Sequence, residues 1–255
     1  MQTTYVEAQV TRDQLEATYK EFLSALTAKN EAKLKSTLST FAYMTIKNNM
    51  LSTNTKFPDA LYGAVSDMYD LNKFTFRKLN INGPTAYCIY SEREDIYIFK
   101  YLKELNIWKY NLVEGYGSDA TRKAIASGDF SFLSDKKYQP DGILPEPPAE
   151  LVQGDYSANL EVNGDSKYEV EIWVNGNAQG KNHGGSSISP VMGGVKKGAN
   201  KIVIKSKALK QDAEPGTIKV TIRAELSKGK ELVEVFTLEE GDPISPLTKE
   251  FVVKK

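Results

Sequence analysis

Apolar positions along this chain change period twice, and each change marks a new kind of structure. Leu15, Tyr19, Phe22, Leu23 and Leu26 recur at helical spacing behind a capping box made by Thr11 and Gln14, so a first helix is predicted over 11–28. Asn30 can cap a second helix carrying Leu34, Leu38 and Phe41. Residues 42–56 show no clean period. Phe57-Pro58-Asp59-Ala60 then starts a third helical segment with Leu61, Val65 and Met68. From Phe74 the period becomes two: Phe74 to Ile81, Thr85 to Ser91, Asp95 to Leu102 and Leu105 to Val113 read as strands joined by short polar turns. Helices first and an antiparallel meander afterwards predict an α+β domain with its helices on one face of a curved sheet.

A second change follows. Ser118 or Asp119 can cap a short helix ending at Gly128, and Tyr138 to Glu150 then carries Pro140, Pro145, Pro147 and Pro148. Proline removes main-chain donors and disfavours helix, so 138–150 reads as a semi-rigid linker between a domain at 1–137 and another at 151–255. Beyond it no helix is predicted. Ser157–Val162, Lys167–Val174, Asn200–Lys207, Thr217–Leu226, Glu231–Leu238 and Lys249–Val253 look like strands. Tyr168, Val170, Ile172 and Val174 alternate with Glu169, Glu171 and Trp173, and Ile218, Val220, Ile222 and Ala224 alternate with Lys219, Thr221 and Arg223. One dry and one wet face is the pattern of an antiparallel β-sandwich. Asn163-Gly164, Asn175-Gly176 and Lys228-Gly229 supply turns, and 175–198 reads as a long loop.

The helices 11–28 and 30–41, Phe57-Pro58-Asp59-Ala60, the run from Phe74 to Ala86, and Trp108-Lys109-Tyr110 together resemble the nuclear transport factor 2-like superfamily, also called cystatin-like or SnoaL-like, over residues 8–115. That resemblance implies a cone with a pocket between sheet and helices. Members of that superfamily include isomerases, hydratases and hydrolases, and also binders, dimerisation units and accessory domains, so the fold leaves function open. Trp173-Val174-Asn175-Gly176 followed by Gly198-Ala199-Asn200-Lys201-Ile202 is similar to hairpins in bacterial jelly-roll or immunoglobulin-like accessory modules of glycoside hydrolases, where that stretch is structural.

Composition narrows the chemistry. With 255 residues, 40% hydrophobic and 26% charged, the chain is long enough for two cores. Its 33 basic and 33 acidic residues cancel, which removes the basic field that a nucleic-acid binder needs. The single cysteine, Cys88, rules out an intrachain disulfide and reads as a small buried hydrophobe. No apolar run approaches membrane-span length, and the first residues lack a signal-peptide pattern. The compartment stays open: periplasmic or extracellular if a leader has been removed, otherwise cytoplasmic.

An enzyme on the first fold would need an acid or base against apolar walls. The candidates, Asp67, Asp70, Glu92, Glu94 and Asp95, fall at a helix end and a hairpin tip, where a solvated role fits better. The strands are rich in aromatic residues instead. Phe76, Tyr97, Phe99, Trp108 and Tyr110 can line an apolar ligand pocket or simply pack a core. In the second domain, Trp173 offers a platform for a sugar ring if it faces outward, and Asn182 and His183 sit in the polar stretch Gly180 to Ser187. That stretch has neither the glycine spacing of a phosphate loop nor a nucleophile elbow, and a lone histidine is a poor metal ligand. No cofactor and no metal are expected. The chain reads as a non-catalytic binding or interaction protein of bacterial type, with the cell envelope as the expected setting. Its partner would be a protein, a small molecule or a glycan, with a homodimer left open. The alternatives are a small-molecule isomerase or hydrolase using the N-terminal pocket, and carbohydrate binding through the sandwich.

Overall fold

The computed structural model describes residues 2–164, 168–182, 185–208, 218–227, 229, 231–238 and 246–254, with backbone alone at 2–11, 67, 168, 181, 206 and 208. The architecture is mixed α+β, with three four-stranded antiparallel sheets. It divides into two compact units, Met1–Thr45 with Pro58–Pro148, and Ile46–Phe57 with Ala149–Lys255. Among the described residues, no helix is long and apolar enough to cross a membrane.

The first unit opens with α1 (Gln2–Thr27) and α2 (Glu31–Thr37). The first helix starts well before the predicted capping box at Thr11, because residues 2–10 contain no glycine or proline to stop it. Asn30 caps α2 as its side chain predicts, accepting from the Lys33 amide at 3.0 Å. Helix α3 (Thr40–Ser52) occupies the stretch that showed no period. Its start is fixed by two side chains: Ser39 Oγ accepts from the Ala42 amide at 3.0 Å, and Glu104 accepts from the Thr40 amide at 2.7 Å. Helix α4 (Asp59–Gly63) and two short 3-10 turns (Ala64–Asp67 and Leu71–Lys73) lead into the sheet.

Strands β1 (Thr75–Asn82), β2 (Thr85–Glu92), β3 (Asp95–Glu104) and β4 (Ile107–Tyr116) form the predicted meander in order. The β3–β4 turn corrects one boundary. Leu105 belongs to the turn, not to a strand, since Leu105 and Asn106 both take positive φ, the conformation a two-residue hairpin requires. Leu105 is thereby left 96% exposed. Both faces of this sheet are covered, where helices on one face were expected. Tyr19, Phe22 and Leu26 of α1 are buried among the aromatic residues of β3 and β4. On the other face Ile89, Ile96 and Ile98 cluster with Leu133 and Tyr138. Helix α5 (Asp119–Ser127), capped by Ser118 and ended by Gly128 at φ +75°, adds Ile125 to that cluster. Tyr138, the first residue of the proline-rich stretch, is fully buried there. Side chains of β1 and β2 hold the residues after it: Asn80 donates to the Tyr138 carbonyl at 2.9 Å, Asn82 to the Pro140 carbonyl at 3.1 Å, and Thr85 Oγ1 accepts from the Gly142 amide at 3.0 Å.

In the second unit, β5 (Ala158–Gly164), β6 (Tyr168–Val174), β7 (Asn177–Asn182), β8 (Gly185–Pro190), β9 (Gly198–Ala208), β10 (Ile218–Ala224), β11 (Val233–Leu238) and β12 (Leu247–Val253) form two sheets, β11-β10-β5-β8 and β12-β9-β6-β7. The alternating residues predicted to face inward do so: Val170, Ile172, Val174, Ile218, Val220 and Ile222 join Leu160, Ile202 and Ile204 in one core drawn from both sheets. Two features depart from expectation. The stretch 175–198 holds β7 and β8, edge strands whose polar sequences give no alternation to detect. Asn163-Gly164 continues β5 and does not form a turn.

Residues 46–57 also belong to this unit, and polar groups attach them. Asn48 is 1% exposed; its amide nitrogen donates to the Ala149 carbonyl at 2.8 Å and its oxygen accepts from the Leu151 amide at 3.1 Å. Ser52 Oγ accepts from the Gly193 amide at 2.8 Å. Beside it, Gly194 takes φ +68°, and a Cβ there would come within 2.3 Å of the Tyr156 carbonyl oxygen. Asn48→Ala removes two partly buried hydrogen bonds, to the Ala149 carbonyl and the Leu151 amide, so it should lower the unfolding free energy by about 1–2 kcal/mol. A urea midpoint unchanged from wild type would refute that role.

Candidate functional site

The face of the first sheet under α1 is the place where the sequence suggested a pocket, and aromatic rings fill it. Tyr19 meets Phe99 at 5.0 Å between ring centroids and Tyr110 at 4.9 Å, both edge-on, and its hydroxyl donates to the Tyr69 carbonyl at 2.9 Å. Phe22 packs on Tyr110, Tyr90 on Phe99, and Tyr101 on Tyr110. Edge-to-face geometry at these separations is close packing and leaves little room between rings. Phe99 and Tyr110 are therefore core residues. Tyr97, partly covered by Tyr69 and Phe74, and Phe76 lie towards the margin. Trp108 is half-buried, with Lys103 Nζ 5.8 Å from its ring centroid.

At that margin stands a cluster that no pattern in the sequence announced. Glu16 Oε1 accepts from Arg12 Nε and Nη2, each at 2.8 Å, and from the Tyr90 hydroxyl at 2.8 Å. The Arg12 guanidinium lies 4.1 Å from the Phe76 ring centroid. Arg12 and Glu16 are one helical turn apart, an ordinary surface spacing, so only the fold reveals that they meet Tyr90. The carboxylate is thus held by a charge-assisted pair and a phenol. Asp70, by contrast, caps the turn at Leu71–Lys73 through the Asn72 amide, which is a structural task.

Burial acts on the acids of this core in one direction. It pushes the Cys88 thiol and the Tyr19 hydroxyl up to about 12, and raises Tyr90, Tyr101 and Tyr110 well above the ordinary tyrosine range. Cys88 is a buried hydrophobe in practice. The Tyr101 hydroxyl has no hydrogen-bond partner among the described residues and is fully buried.

The opposite face of the sheet carries an open groove of about 180 Å³. Thr85, Tyr87, Lys100, Leu102 and Leu112 supply its floor, and Asp141, Ile143 and Pro145 of the proline-rich stretch form a rim. An irregular register puts Lys100 opposite Leu112 and Tyr101 opposite Tyr110, so Asn111 is an extra residue at the edge of this groove. Lys100 pairs with Glu114 at 2.6 Å, with its ammonium 5.1 Å from the Tyr87 ring centroid. The Glu114 carboxylate also accepts from Tyr116 and, with burial, pushes that hydroxyl up to about 12. Asn111 is held by Ser39, whose hydroxyl donates at 2.6 Å. Ile143 is 67% exposed on the rim.

In the second unit, Trp173 lies half-buried on the outer side of its sheet, with Lys205 Nζ 4.7 Å from its ring centroid. Asn182 ends β7 and donates to Ser187 Oγ at 2.7 Å. In the β6–β7 hairpin Asn182 lies opposite Val170, while Trp173 pairs with Ala178, so the two are not brought together. His183 lies outside the described residues. A polar cleft of about 480 Å³ lies instead at one end of this unit, lined by Thr53, Asn54, Asp155, Tyr156, Glu225 and Ser227. Asp155 already accepts from the Lys197 amide at 2.8 Å, and Glu225 from Ser157 at 3.1 Å. No group of three or more histidine, cysteine, aspartate or glutamate residues suited to a metal occurs among the described residues.

The raised tyrosines fix an alkaline limit. Their folded values lie above the unfolded value of about 10, so their contribution to stability is complete below pH ~10. It drains as the pH climbs toward the folded values of about 12 and beyond. Near-ultraviolet absorbance should show only part of the 14 tyrosines ionising before circular dichroism reports unfolding. Full ionisation of an intact fold near pH 10 would contradict the packing. Removing the orphaned hydroxyl with Tyr101→Phe should leave stability unchanged or raise it by about 1 kcal/mol, and a clear loss on thermal melting would count against its lacking a partner.

No protein-family model, no curated protein and no solved structure matches this chain.

Proposed function

We propose that this protein is a non-catalytic binding or interaction protein. The observation that carries the reading is the filled face under α1: its rings interlock, and Glu16, the acid beside them, is already committed to Arg12 and Tyr90. On this reading the first unit is a nuclear transport factor 2-like cone whose interior serves as scaffold. The two-sheet unit is a β-sandwich of the accessory type, and the resemblance to such modules is the basis for a bacterial envelope setting. The working surface of the first unit is then the outer groove. Its volume of about 180 Å³ suits one side chain of a partner or a small amphipathic molecule. Tyr87 and Leu112 supply apolar contact, Lys100 and Asp141 orient a polar group, and Ile143 extends the rim.

An isomerase or hydrolase on the same fold needs a carboxylate free to move a proton in a cavity, and the bonds made by Glu16 speak against that alternative. Carbohydrate binding has one observation in its favour, away from Trp173. The cleft of about 480 Å³ places the Tyr156 ring among hydroxyl, amide and carboxylate groups, the mixture that sugars need.

Amide spectra of labelled protein titrated with phenol and isobutanol, and separately with glucose and mannose, discriminate among these readings. The apolar probes should shift Tyr87, Lys100, Leu112 and Ile143. Sugar-induced shifts at Asp155 and Tyr156, with the groove silent, would move the function to the second unit. Probe binding at Tyr69, Phe74 and Tyr97 would reopen the interior and overturn the scaffold reading.

A further inference from the structure

The sheet β11-β10-β5-β8 ends on β8, and the main-chain phase of that edge can be worked out. Strand β8 pairs with β5 in an unbroken antiparallel register that sets Pro190 opposite Asn159 and Ile188 opposite Glu161. Just beyond, the Val191 amide donates to the Ala158 carbonyl at 2.7 Å on the same register. Main-chain groups alternate in direction along an antiparallel strand. Ser189 and Ser187 therefore turn their N–H and C=O towards β5, while Ser186 and Ile188 turn theirs to the free side. Pro190 also faces that side, where its missing N–H breaks no bond.

The composition of the edge is unusual for this chain. The edges β1, β11, β12 and β7 carry charged residues or an irregular register, features that block strand addition, whereas β8 has one such feature, Pro190 at its end. The first β-strand has Arg77, Lys78 and an irregular register; β11 has Glu234; β12 has Lys249 and Glu250; β7 has Lys181 and an irregular register. Strand β8 reads Gly-Ser-Ser-Ile-Ser-Pro, with no charge and no bulge. Its side chains run against the core pattern as well. Ser187 and Ser189 lie opposite Val162 and Leu160 on the core side, whereas Ile188 lies opposite Glu161 on the outer side and is 71% exposed.

We propose that β8 is a self-pairing edge through which two copies of this chain join their sheets antiparallel. A second copy fits better than a charged peptide, because the edge offers no side-chain charge to select one and none to repel its own image. Two registers offer the same number of main-chain bonds, and the one that leaves no Ser186 carbonyl unpaired is favoured. Ser186 of one copy pairs with Ile188 of the other about a twofold axis at Ser187, and each of these residues contributes one N–H and one C=O, for about four main-chain hydrogen bonds. Pairing Ser186 with Pro190 of the second copy would waste a carbonyl on a residue without a donor. In the favoured register the two Ile188 side chains share the outer face as diagonal neighbours, within reach of each other. The contact is short, so the dimer is weak and concentration-dependent. The proposal is independent of the ligand assigned to the groove.

Sedimentation velocity of the whole chain from ~10 to ~500 µM, with Ile188→Lys and Ser186→Pro alongside, tests it. Wild type should dimerise across that range. Either substitution should weaken dimerisation by about tenfold or more, the first by placing like charges as diagonal neighbours across the axis and the second by removing a donor that faces the free side. The Ser186 and Ile188 amides should gain exchange protection as concentration rises. A wild type that stays monomeric throughout, or a dimer that both variants leave intact, overturns the proposal. Should Ser186→Pro melt early, Ile188→Lys decides alone, because a lysine at that exposed site leaves the monomer's packing unchanged.

Discussion

The ring of Tyr19 carries the first unit. It sits on the face of α1 that meets the sheet, lies edge-on to Phe99 and Tyr110, and anchors its hydroxyl on the Tyr69 carbonyl ahead of β1. One side chain thus ties a helix, two strands and the approach to a third. A residue this size cannot be placed there and leave a cavity, since interiors pack to crystal-like density. The same contact decides the electrostatics. Dense apolar surroundings raise Tyr90, Tyr101, Tyr110 and Cys88 above their ordinary ranges, so these groups stay neutral well into the alkaline range.

Two-sided cover of the sheet explains what could and could not be read in advance. The alternation in β2 and β3 was strong enough to place the strands, yet both of their faces are apolar, and the helical segments before them drew attention to one cover only. The second cover comes from Phe130, Phe132, Leu133 and Tyr138, residues without helical or strand period, the last of which opens the proline-rich stretch. Capping was legible wherever it is local: Asn30, Ser118 and Gly128 act as their chemistry predicts. It was illegible where the cap is distant in sequence, as Glu104 on Thr40. Helix α3 escaped notice for a related reason, because buried positions near its end are Asn48 and Ser52, which a hydrophobic count scores as solvent.

The candidate site was less legible than the fold. Aromatic residues were rightly placed in the sheet, but a count of rings does not distinguish a lined pocket from a packed one; only distances do. Arg12 and Glu16 look like any helical ion pair until β2 brings Tyr90 to them. The groove depends on Asp141, Ile143 and Pro145 lying over strands tens of residues earlier in the chain, held by Asn80, Asn82 and Thr85, and such long-range placement leaves no periodic trace.

Polar groups at the end of α3 follow one rule and those at one sheet edge another. Asn48 and Ser52 are buried and satisfied, so they fix which main-chain segments sit beside the helix end and cannot be exchanged for others without orphaning a donor. At β8 the main-chain groups of Ser186 and Ile188 turn away from β5, and both residues are exposed to solvent. Exchanging water for a strand changes little in hydrogen-bond energy, so an edge of this kind associates only when side chains permit it. Charge on the other edges withholds that permission; three serines and one isoleucine do not. Selectivity at a sheet edge therefore resides in the residues that refuse partners, and β8 carries one of these, Pro190 at its end, with an uncharged stretch before it.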